Sequence, residues 1–219
     1  RLLRACEDGT KYTVQKCIDL GADINCRGKR GDTPLHLACR NHRINPNIII
    51  TLLKNNCGQN QKNYEGDTPL HLACRNHRIN PNIIITLLKN NCGQNQKNYE
   101  GDTPLHLACG SYYKKPEIIT SLLKNNCKPN ERNNEGDTPL HLACRNYRID
   151  PEIITMLLKN NCKPNERNNE GDTPLHLACR NYRIDPEIIT MLLQNNCKPN
   201  EQNEKVNKKP VFFFNTCST

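Results

Sequence analysis

The sequence contains no tryptophan and only three phenylalanines among its 219 residues. Apolar residues make up 35% of the composition, which is too little for the single large core of a globular domain of this length. The longest aliphatic runs, such as residues 48–50, are far shorter than a bilayer requires, so we expect no membrane insertion. These shortages favour an array of thin units, each needing only a narrow apolar ribbon.

The amino terminus lacks a charged segment followed by an apolar one, and the first residue is Arg1 rather than methionine. We therefore expect a fragment of a longer intracellular protein. The expected compartment is the cytoplasm, with the nucleus as an alternative.

One nine-residue stretch, Gly-Asp-Thr-Pro-Leu-His-Leu-Ala-Cys, recurs without change. It begins at positions 31, 66, 101, 136 and 171, so the period is 35 residues. Self-similarity at a fixed period of this length is typical of arrays in which each small unit stacks on its neighbours.

The sequence has 14 cysteines, and ten of them follow the same period. From Cys39 to Cys197 they occur twice per repeat, once after His-Leu-Ala and once after Asn-Asn. Free cysteine behaves as a small buried hydrophobe. We therefore expect structural thiols in a reducing compartment rather than a disulfide framework.

Each repeat contains two helix-start signals. Thr33 precedes Pro34, and Asn45 precedes Pro46, which is the arrangement of an N-cap residue followed by proline at the first helical position. In later repeats the second cap is an aspartate, at positions 150 and 185.

The second helix is followed by a polar segment. Asn56 stands where this helix must end in a left-handed conformation, which asparagine tolerates best after glycine. Residues 58–65 are polar and predict an extended hairpin-like loop. The unit is therefore helix, loop, helix, hairpin.

This unit resembles the ankyrin repeat. The Thr-Pro-Leu-His-Leu-Ala core of that family stands at residues 33–38 and recurs in every later repeat, and its Gly-Ala-Asp-x-Asn terminator stands at residues 21–25. The resemblance covers roughly residues 2–200. It implies an all-α fold, an ankyrin-repeat solenoid of stacked helix-loop-helix units with β-hairpin-like connecting loops. It also implies that the motif histidine is structural, with its ring hydrogen-bonded between turns.

From this resemblance we expect three segments. Residues 1–27 form an N-terminal capping repeat, residues 28–200 form five ankyrin repeats, and residues 201–219 form a degenerate C-terminal cap or tail that contains all three phenylalanines.

Two departures from the family pattern stand out. The family unit has 33 residues, and the two extra residues here lie between the helices. They predict a longer loop whose isoleucine lies against the stack, at positions 44, 79, 149 and 184. In the middle repeat, residues 101–135, the segment 110–115 reads Gly-Ser-Tyr-Tyr-Lys-Lys and loses both this isoleucine and the helix cap.

No catalytic or metal-binding constellation emerges. His36 and Cys39 are three residues apart on one helix, but a zinc ion needs about four ligands. Since neighbouring helices pack about 8–10 Å apart, such pairs from adjacent repeats cannot readily share an ion. Neither a nucleophile with its base nor a phosphate-binding loop is present. We therefore expect no enzyme, no cofactor and no metal.

Arginines recur in register after the first helix. Two interpretations remain open: a basic strip that binds an acidic peptide or a nucleic acid backbone, or a solvated face paired across repeats with glutamates and the motif aspartates. We favour the second, and nucleic acid binding is the weakest of our alternatives. The row comprises Arg40, Arg43, Arg75, Arg78, Arg145, Arg148, Arg180 and Arg183, with His42, His77, Tyr147 and Tyr182 between them.

Ankyrin proteins, by the resemblance, bind partners with the hairpin tips and the exposed side of the first helix. We therefore expect a monomeric, non-catalytic protein–protein interaction scaffold that binds its partner on the concave face of the stack. The formal charge of +9 predicts a partner that is acidic or has an acidic segment. The candidate contact residues are Arg30, Arg40, Lys62, Tyr64, Arg75, Lys97, Tyr99, Tyr112, Tyr113, Arg132, Arg145, Arg167 and Arg180.

Two alternatives stay open. The chain could be the regulatory or targeting ankyrin arm of a larger signalling protein. Tyr112 and Tyr113 could fill the space left by the missing isoleucine rather than contact a partner.

Overall fold

The computed structural model describes residues 1–8, 10–41, 43–113, 115–181 and 185–199. The expectations for Ile184, for His42, Tyr182 and Arg183 of the arginine row, and for residues 201–219 lie outside these described residues. The chain divides into two compact units, residues 1–128 and residues 129–219, which we call unit 1 and unit 2.

The described residues form twelve helices in successive pairs and contain no β-strand, as expected for an all-α repeat solenoid. Unit 1 contains α1 (Leu2–Asp8), α2 (Lys11–Asp19), α3 (Pro34–Arg40), α4 (Pro46–Lys54), α5 (Pro69–Arg75), α6 (Pro81–Lys89), α7 (Pro104–Gly110) and α8 (Pro116–Lys124). Unit 2 contains α9 (Pro139–Arg145), α10 (Pro151–Lys159), α11 (Pro174–Arg180) and α12 (Pro186–Gln194).

The helices of unit 1 pack in two layers. The first helices of the repeats, α1, α3, α5 and α7, contact one another in order, and the second helices, α2, α4, α6 and α8, do the same. In unit 2, α9 packs against α11, and each first helix packs against its own second helix. The core is the narrow aliphatic ribbon that the composition predicts, because Leu35, Ile48 and Leu52 are fully buried between these layers.

The helix starts are as predicted. The Thr33 side chain accepts a hydrogen bond from the backbone N–H of His36, and Pro34 is the first residue of α3. Asn45 accepts from the N–H of Asn47 at 3.0 Å and so caps α4. The predicted aspartate caps of α10 and α12 are also confirmed, at Asp150 and Asp185.

The connection between α7 and α8 lacks its cap, also as predicted. Lys115 occupies the N-cap position of α8 and makes no side-chain capping bond. Its ammonium group instead donates to the backbone carbonyl of Ile79 at 2.5 Å.

The loop isoleucine packs unevenly. Ile79 is buried, with 2% of its surface exposed, whereas Ile44 and Ile149 are only half-buried. Among the described positions, the prediction is therefore confirmed fully only at Ile79.

All cysteines in the described part of the chain are free thiols, and most of them are buried. Burial raises the pKa of the Cys92 and Cys127 thiols to about 12. A thiol with such a pKa stays neutral and behaves as a small apolar side chain, so the expectation of structural thiols is confirmed.

In each repeat from α4 onward, an asparagine with positive φ stands two residues after the last residue of the second helix. The value is 57° at Asn56 and Asn91, and it lies between 61° and 64° at Asn126, Asn161 and Asn196. A residue with an ordinary Cβ is strained in this conformation, which glycine adopts freely and asparagine tolerates.

This geometry predicts opposite effects of two substitutions at Asn91. Asn91→Ala is expected to lower the free energy of unfolding by about 1 kcal/mol, because alanine is strained in the left-handed region. Asn91→Gly should leave it unchanged or raise it. Urea titration of both variants measures the difference, and equal destabilisation by alanine and glycine would contradict the explanation.

Candidate protein-binding surface

Within each unit, the motif histidine joins one repeat to the next. The backbone N–H of Thr33 donates to His36 Nδ1 at 3.1 Å, and His36 Nε2 lies 2.9 Å from the backbone oxygen of Asp67. His71 repeats this arrangement in unit 1, with its Nε2 3.0 Å from the Asp102 oxygen. His141 does so in unit 2, with its Nε2 3.0 Å from the Asp172 oxygen.

These partners determine the state of the ring. An amide N–H can only donate and a carbonyl can only accept, so the ring is neutral and carries its proton on Nε2. Burial lowers the pKa of His71 and of His141 to about 4. A second proton on Nδ1 would also face the threonine amide. The structural role that the family resemblance implied for this histidine is confirmed.

A row of asparagines fixes the loop tips. Asn63 Nδ2 donates to Asp32 Oδ1 of the preceding repeat at 2.8 Å. Its Oδ1 accepts the backbone N–H groups of Glu65 and Asp67 at 2.9 and 3.0 Å. The turn closes through the N–H of Gly66, which donates to the Asn63 oxygen at 3.0 Å. One side chain thus holds its own loop and the preceding one together.

Two further asparagine rows connect neighbouring repeats. Asn76 Nδ2 donates to the Cys39 oxygen at 3.1 Å, near the end of the preceding first helix. Asn60 Oδ1 accepts from Gly93 N–H at 2.6 Å, and its Nδ2 donates to the Asn91 oxygen at 3.0 Å. None of these three rows was predicted from the sequence. The available signal was the recurrence of asparagine at fixed positions of the repeat, which is complete for the Asn60 and Asn63 rows and is interrupted by Ser111 in the Asn76 row.

The first arginine of each pair is neutralised within its own repeat. Arg40 lies 2.5 Å from Asp32, and Arg75 lies 3.1 Å from Asp67. In unit 2, Arg145 lies 2.5 Å from Asp137. Arg180 pairs with Asp172 in the same way.

The expected pairing of these arginines is therefore present, but the motif aspartates are reached within one repeat rather than across repeats. The arginine is the last residue of a seven-residue helix and the aspartate lies just before that helix. Such a helix is only about 10 Å long, so the long side chain reaches back along it. All four arginines remain partly exposed, with 37% to 51% of the side-chain surface accessible.

Tyr64 and Tyr99 project from the loop tips of unit 1. A Cβ at Gly31 would lie 2.6 Å from Tyr64 Cδ1, and one at Gly66 would lie 2.7 Å from Tyr99 Cδ1. Each ring therefore rests directly on the backbone of the preceding loop, at a glycine with φ of 72° or 76°. The two tyrosines are nevertheless 68% and 66% exposed.

Cations bridge the same loops. Lys62 Nζ donates to the Lys97 oxygen at 2.7 Å and lies 6.0 Å from the centre of the Tyr99 ring. Arg27, one period earlier, donates to the Lys62 oxygen at 2.8 Å. Arg30 is exposed, and its carbonyl accepts the Tyr64 N–H at 3.0 Å. The candidates Arg30, Lys62, Tyr64 and Tyr99 are thus brought together, with Lys97 half-buried beside them.

Tyr112 and Tyr113 lie on a different surface. They follow α7, at the opposite end of the first helix from the loop tips. Their exposed fractions are 53% and 56%, so the rings do not fill an interior space left by the missing isoleucine.

The matches to known families agree with this geometry. A family model described as ankyrin repeats (3 copies) matches residues 2–98, 44–132, 80–168 and 110–203. The chain belongs to the ankyrin repeat family. Ankyrin repeats are in general protein–protein interaction modules and are typically non-enzymatic scaffolds. No curated protein matches the sequence.

Unit 2 of this ankyrin protein has a different surface. Asn134 and Asn169 stand where unit 1 has its tyrosines. An open groove of about 820 Å³ is lined by residues that include Glu135, Arg145, Tyr147, Glu170 and Arg180. Arg132 and Arg167 line a separate shallow cleft.

Within the described ankyrin repeats, histidine, cysteine and acidic side chains form no group of three or more that could hold a metal ion. Among the described helices, none combines the length and apolar character needed to cross a bilayer.

The neutral histidines make the stability of this ankyrin protein dependent on pH. An unfolded histidine titrates near pH 6.5, whereas His71 and His141 titrate near 4 when folded. Between these values the unfolded state binds more protons, so stability is present above pH 6.5 and is lost as the pH falls towards 4. Each such histidine contributes a slope of up to about 1.4 kcal/mol per pH unit.

Urea titrations at pH 7.5 and 5.0 measure this loss. His71→Gln should be less stable than the wild type at pH 7.5 but should show a smaller drop at pH 5.0. An NMR titration of the His71 ring with a midpoint near 6.5 in the folded protein would overturn the prediction.

Proposed function

We propose that the chain is a non-catalytic scaffold that binds a partner protein on its loop face. The loop face comprises the tips of the loops at residues 27–31, 62–66 and 97–101 and the exposed sides of α3 and α5. The observation that carries this proposal is the pair Tyr64 and Tyr99, exposed at 68% and 66% and one repeat apart.

The tyrosines suit an interface because they are exposed and held in place. Each ring lies on the backbone of the preceding loop, so little conformational entropy is lost when a partner covers it. Tyrosine supplies a large contact area with only two side-chain torsions, and it is enriched among the residues that dominate binding energy.

The distribution of charge supports a partner whose acidic part lies near the loop tips. Arg40 and Arg75 already face Asp32 and Asp67, so their charge is largely compensated. Arg30 and Lys62 are exposed at the tips. We therefore propose that acidic groups of the partner lie beside the tyrosines, with the paired arginines contributing hydrogen-bond donors rather than net charge.

In unit 2 the groove beside Arg145 and Arg180 is proposed as a polar contact region. It contains both signs of charge, since Glu135 lies 2.9 Å from Arg145 and Glu170 also lines the groove. A surface of this kind adds specificity and orientation more than affinity.

The two other hypotheses receive less support. The same loop face would serve a regulatory or targeting arm of a larger signalling protein, so no observation favours that hypothesis over a scaffold. A nucleic acid along the arginine row is disfavoured by the ion pairs of Arg40, Arg75, Arg145 and Arg180, because phosphate binding depends on uncompensated charge.

The proposal is tested with the double variant Tyr64→Ala/Tyr99→Ala. Affinity capture from cells that express the native protein, with quantitative mass spectrometry, should show partners that the wild type retains and the double variant loses. Loss of two central tyrosines typically weakens binding by tenfold or more. The matched control is Tyr12→Ala. The Tyr12 ring is 79% exposed, and it belongs to α2, which is not part of the loop face. Equal recovery of partners by all three proteins contradicts the proposal.

A further inference from the structure

The inter-helix loop of the middle repeat departs from the pattern that the chain follows elsewhere. Residues 75–80 read Arg-Asn-His-Arg-Ile-Asn, whereas residues 110–115 read Gly-Ser-Tyr-Tyr-Lys-Lys. Asn80 caps α6 by accepting the Asn82 N–H at 2.9 Å, and Lys115 at the equivalent position provides no such cap. A local loss of this kind in an otherwise consistent sequence is characteristic of a functional position.

Three rings meet at this loop, and we call His77, Tyr112 and Tyr113 the aromatic cluster. Tyr113 stacks on His77 with ring centroids 4.3 Å apart and an interplanar angle of 23°. Tyr112 meets Tyr113 edge-on, at 5.2 Å and 83°. The Ser111 hydroxyl donates to the Tyr113 carbonyl at 3.2 Å and helps to fix the turn.

The cluster is an exposed surface rather than the rim of a pocket. More than half of each tyrosine is accessible, at 53% for Tyr112 and 56% for Tyr113. The cleft beneath, lined by Cys74, Ala108 and Ile118 among others, has a volume of only about 10 Å³. That is about the size of one water, so the cleft cannot hold a small-molecule ligand and any ligand must lie on the rings.

The charge around the aromatic cluster is positive and largely uncompensated. Arg78 directly follows His77, and Arg43 occupies the same position one repeat earlier; both are exposed. In the described part of the chain neither guanidinium takes part in an ion pair, in contrast to Arg40 and Arg75. Lys115 adds a further cation, and Glu117 in the first turn of α8 is the nearby acid.

We propose that the aromatic cluster, together with Arg78 and Lys115, is a second docking surface that binds an acidic peptide segment of a partner protein. It lies at the C-terminal ends of α5 and α7, about 10 Å along these seven-residue helices from the loop tips. It is therefore separate from the loop-tip tyrosines, Tyr64 and Tyr99, and does not depend on the function proposed for them.

The structure favours a peptide over a nucleic acid. A single strand needs open ring faces along a continuous basic track. Here His77 already covers one face of Tyr113, and two members of the same arginine row, Arg40 and Arg75, are neutralised, so the basic track is interrupted. Glu117 would also repel a phosphate backbone, whereas a short acidic peptide can place its carboxylates on the cations alone.

The chain supplies its own control, because the regular loop can replace the unusual one. The loop-swap variant carries Gly110→Arg, Ser111→Asn, Tyr112→His, Tyr113→Arg, Lys114→Ile and Lys115→Asn. It leaves the formal charge unchanged, since two cations are gained and two are lost. It also restores the helix cap and the isoleucine, so its Tm should equal or exceed that of the wild type, and lost binding cannot be ascribed to unfolding.

Random twelve-residue peptides displayed on phage are selected on the immobilised wild-type chain and depleted on the loop-swap variant. We expect the surviving peptides to carry net negative charge, and their affinity, measured as synthetic peptides by fluorescence anisotropy, to fall at least tenfold in the loop-swap variant. Arg78→Gln should weaken the same peptides severalfold. Tyr64→Ala/Tyr99→Ala, which alters only the loop face, should bind them as the wild type does.

The other outcomes overturn the inference. If no peptide distinguishes the wild type from the loop-swap variant, or if the surviving peptides are neutral or basic, the surface does not bind acidic segments. If a fluorescein-labelled oligo(dT) of twenty nucleotides binds the wild type and loses affinity in the loop-swap variant, the surface recognises nucleic acid instead. If sedimentation shows a wild-type dimer that the swap dissociates, the occupant is a second copy of this chain.

Discussion

The structure depends above all on hydrogen bonds by which one repeat satisfies the backbone of the next. A unit of 35 residues has two short helices and a polar loop, and the loop peptides have no regular partner of their own. His36 reaches the Asp67 carbonyl, and Asn60 holds the Gly93 amide and the Asn91 carbonyl. The His36 contact is buried, and a buried polar group left without a partner is costly, so this contact helps to fix the register of the repeats.

This requirement limits which residues are available for binding. Thr33, His36 and Asn63 are committed to the connection between repeats and are buried. Arg75 is partly committed, because it compensates the buried carboxylate of Asp67 while keeping 45% of its side chain exposed. The residues available for binding are those whose side chains take no part in these hydrogen bonds and point outward, such as Tyr64, whose ring lies on Gly31. In the proposed scaffold, recognition therefore rests on side chains that these contacts between repeats hold in place.

The parts of this structure that could be predicted from the sequence are local in the chain. The caps at Thr33 and Asn45 and the left-handed Asn56 depend on residues one to three positions away, and all three were predicted correctly. The contacts of the asparagine rows, and those of Tyr64 and Tyr99 with glycines of the preceding loop, join residues 31 to 37 positions apart. Their partners depend on how the repeats stack, which the local sequence does not specify. The ion pair between Arg40 and Asp32 was not predicted. The sequence analysis expected pairs between neighbouring repeats, whereas this pair joins the two ends of one short helix.

The middle repeat shows that the cap of the second helix is not required for the fold, because α8 forms without one. Capped loops before α4, α6, α10 and α12 show that this architecture accommodates a side-chain cap at that position. The absence of the cap before α8 is therefore not imposed by the stacking of the repeats. In the same six residues the chain places two tyrosines that are more than half exposed and packed against His77. Both rings remain more than half exposed while Tyr113 stacks on His77, and this combination of exposure and fixed position is what the proposed docking surface requires.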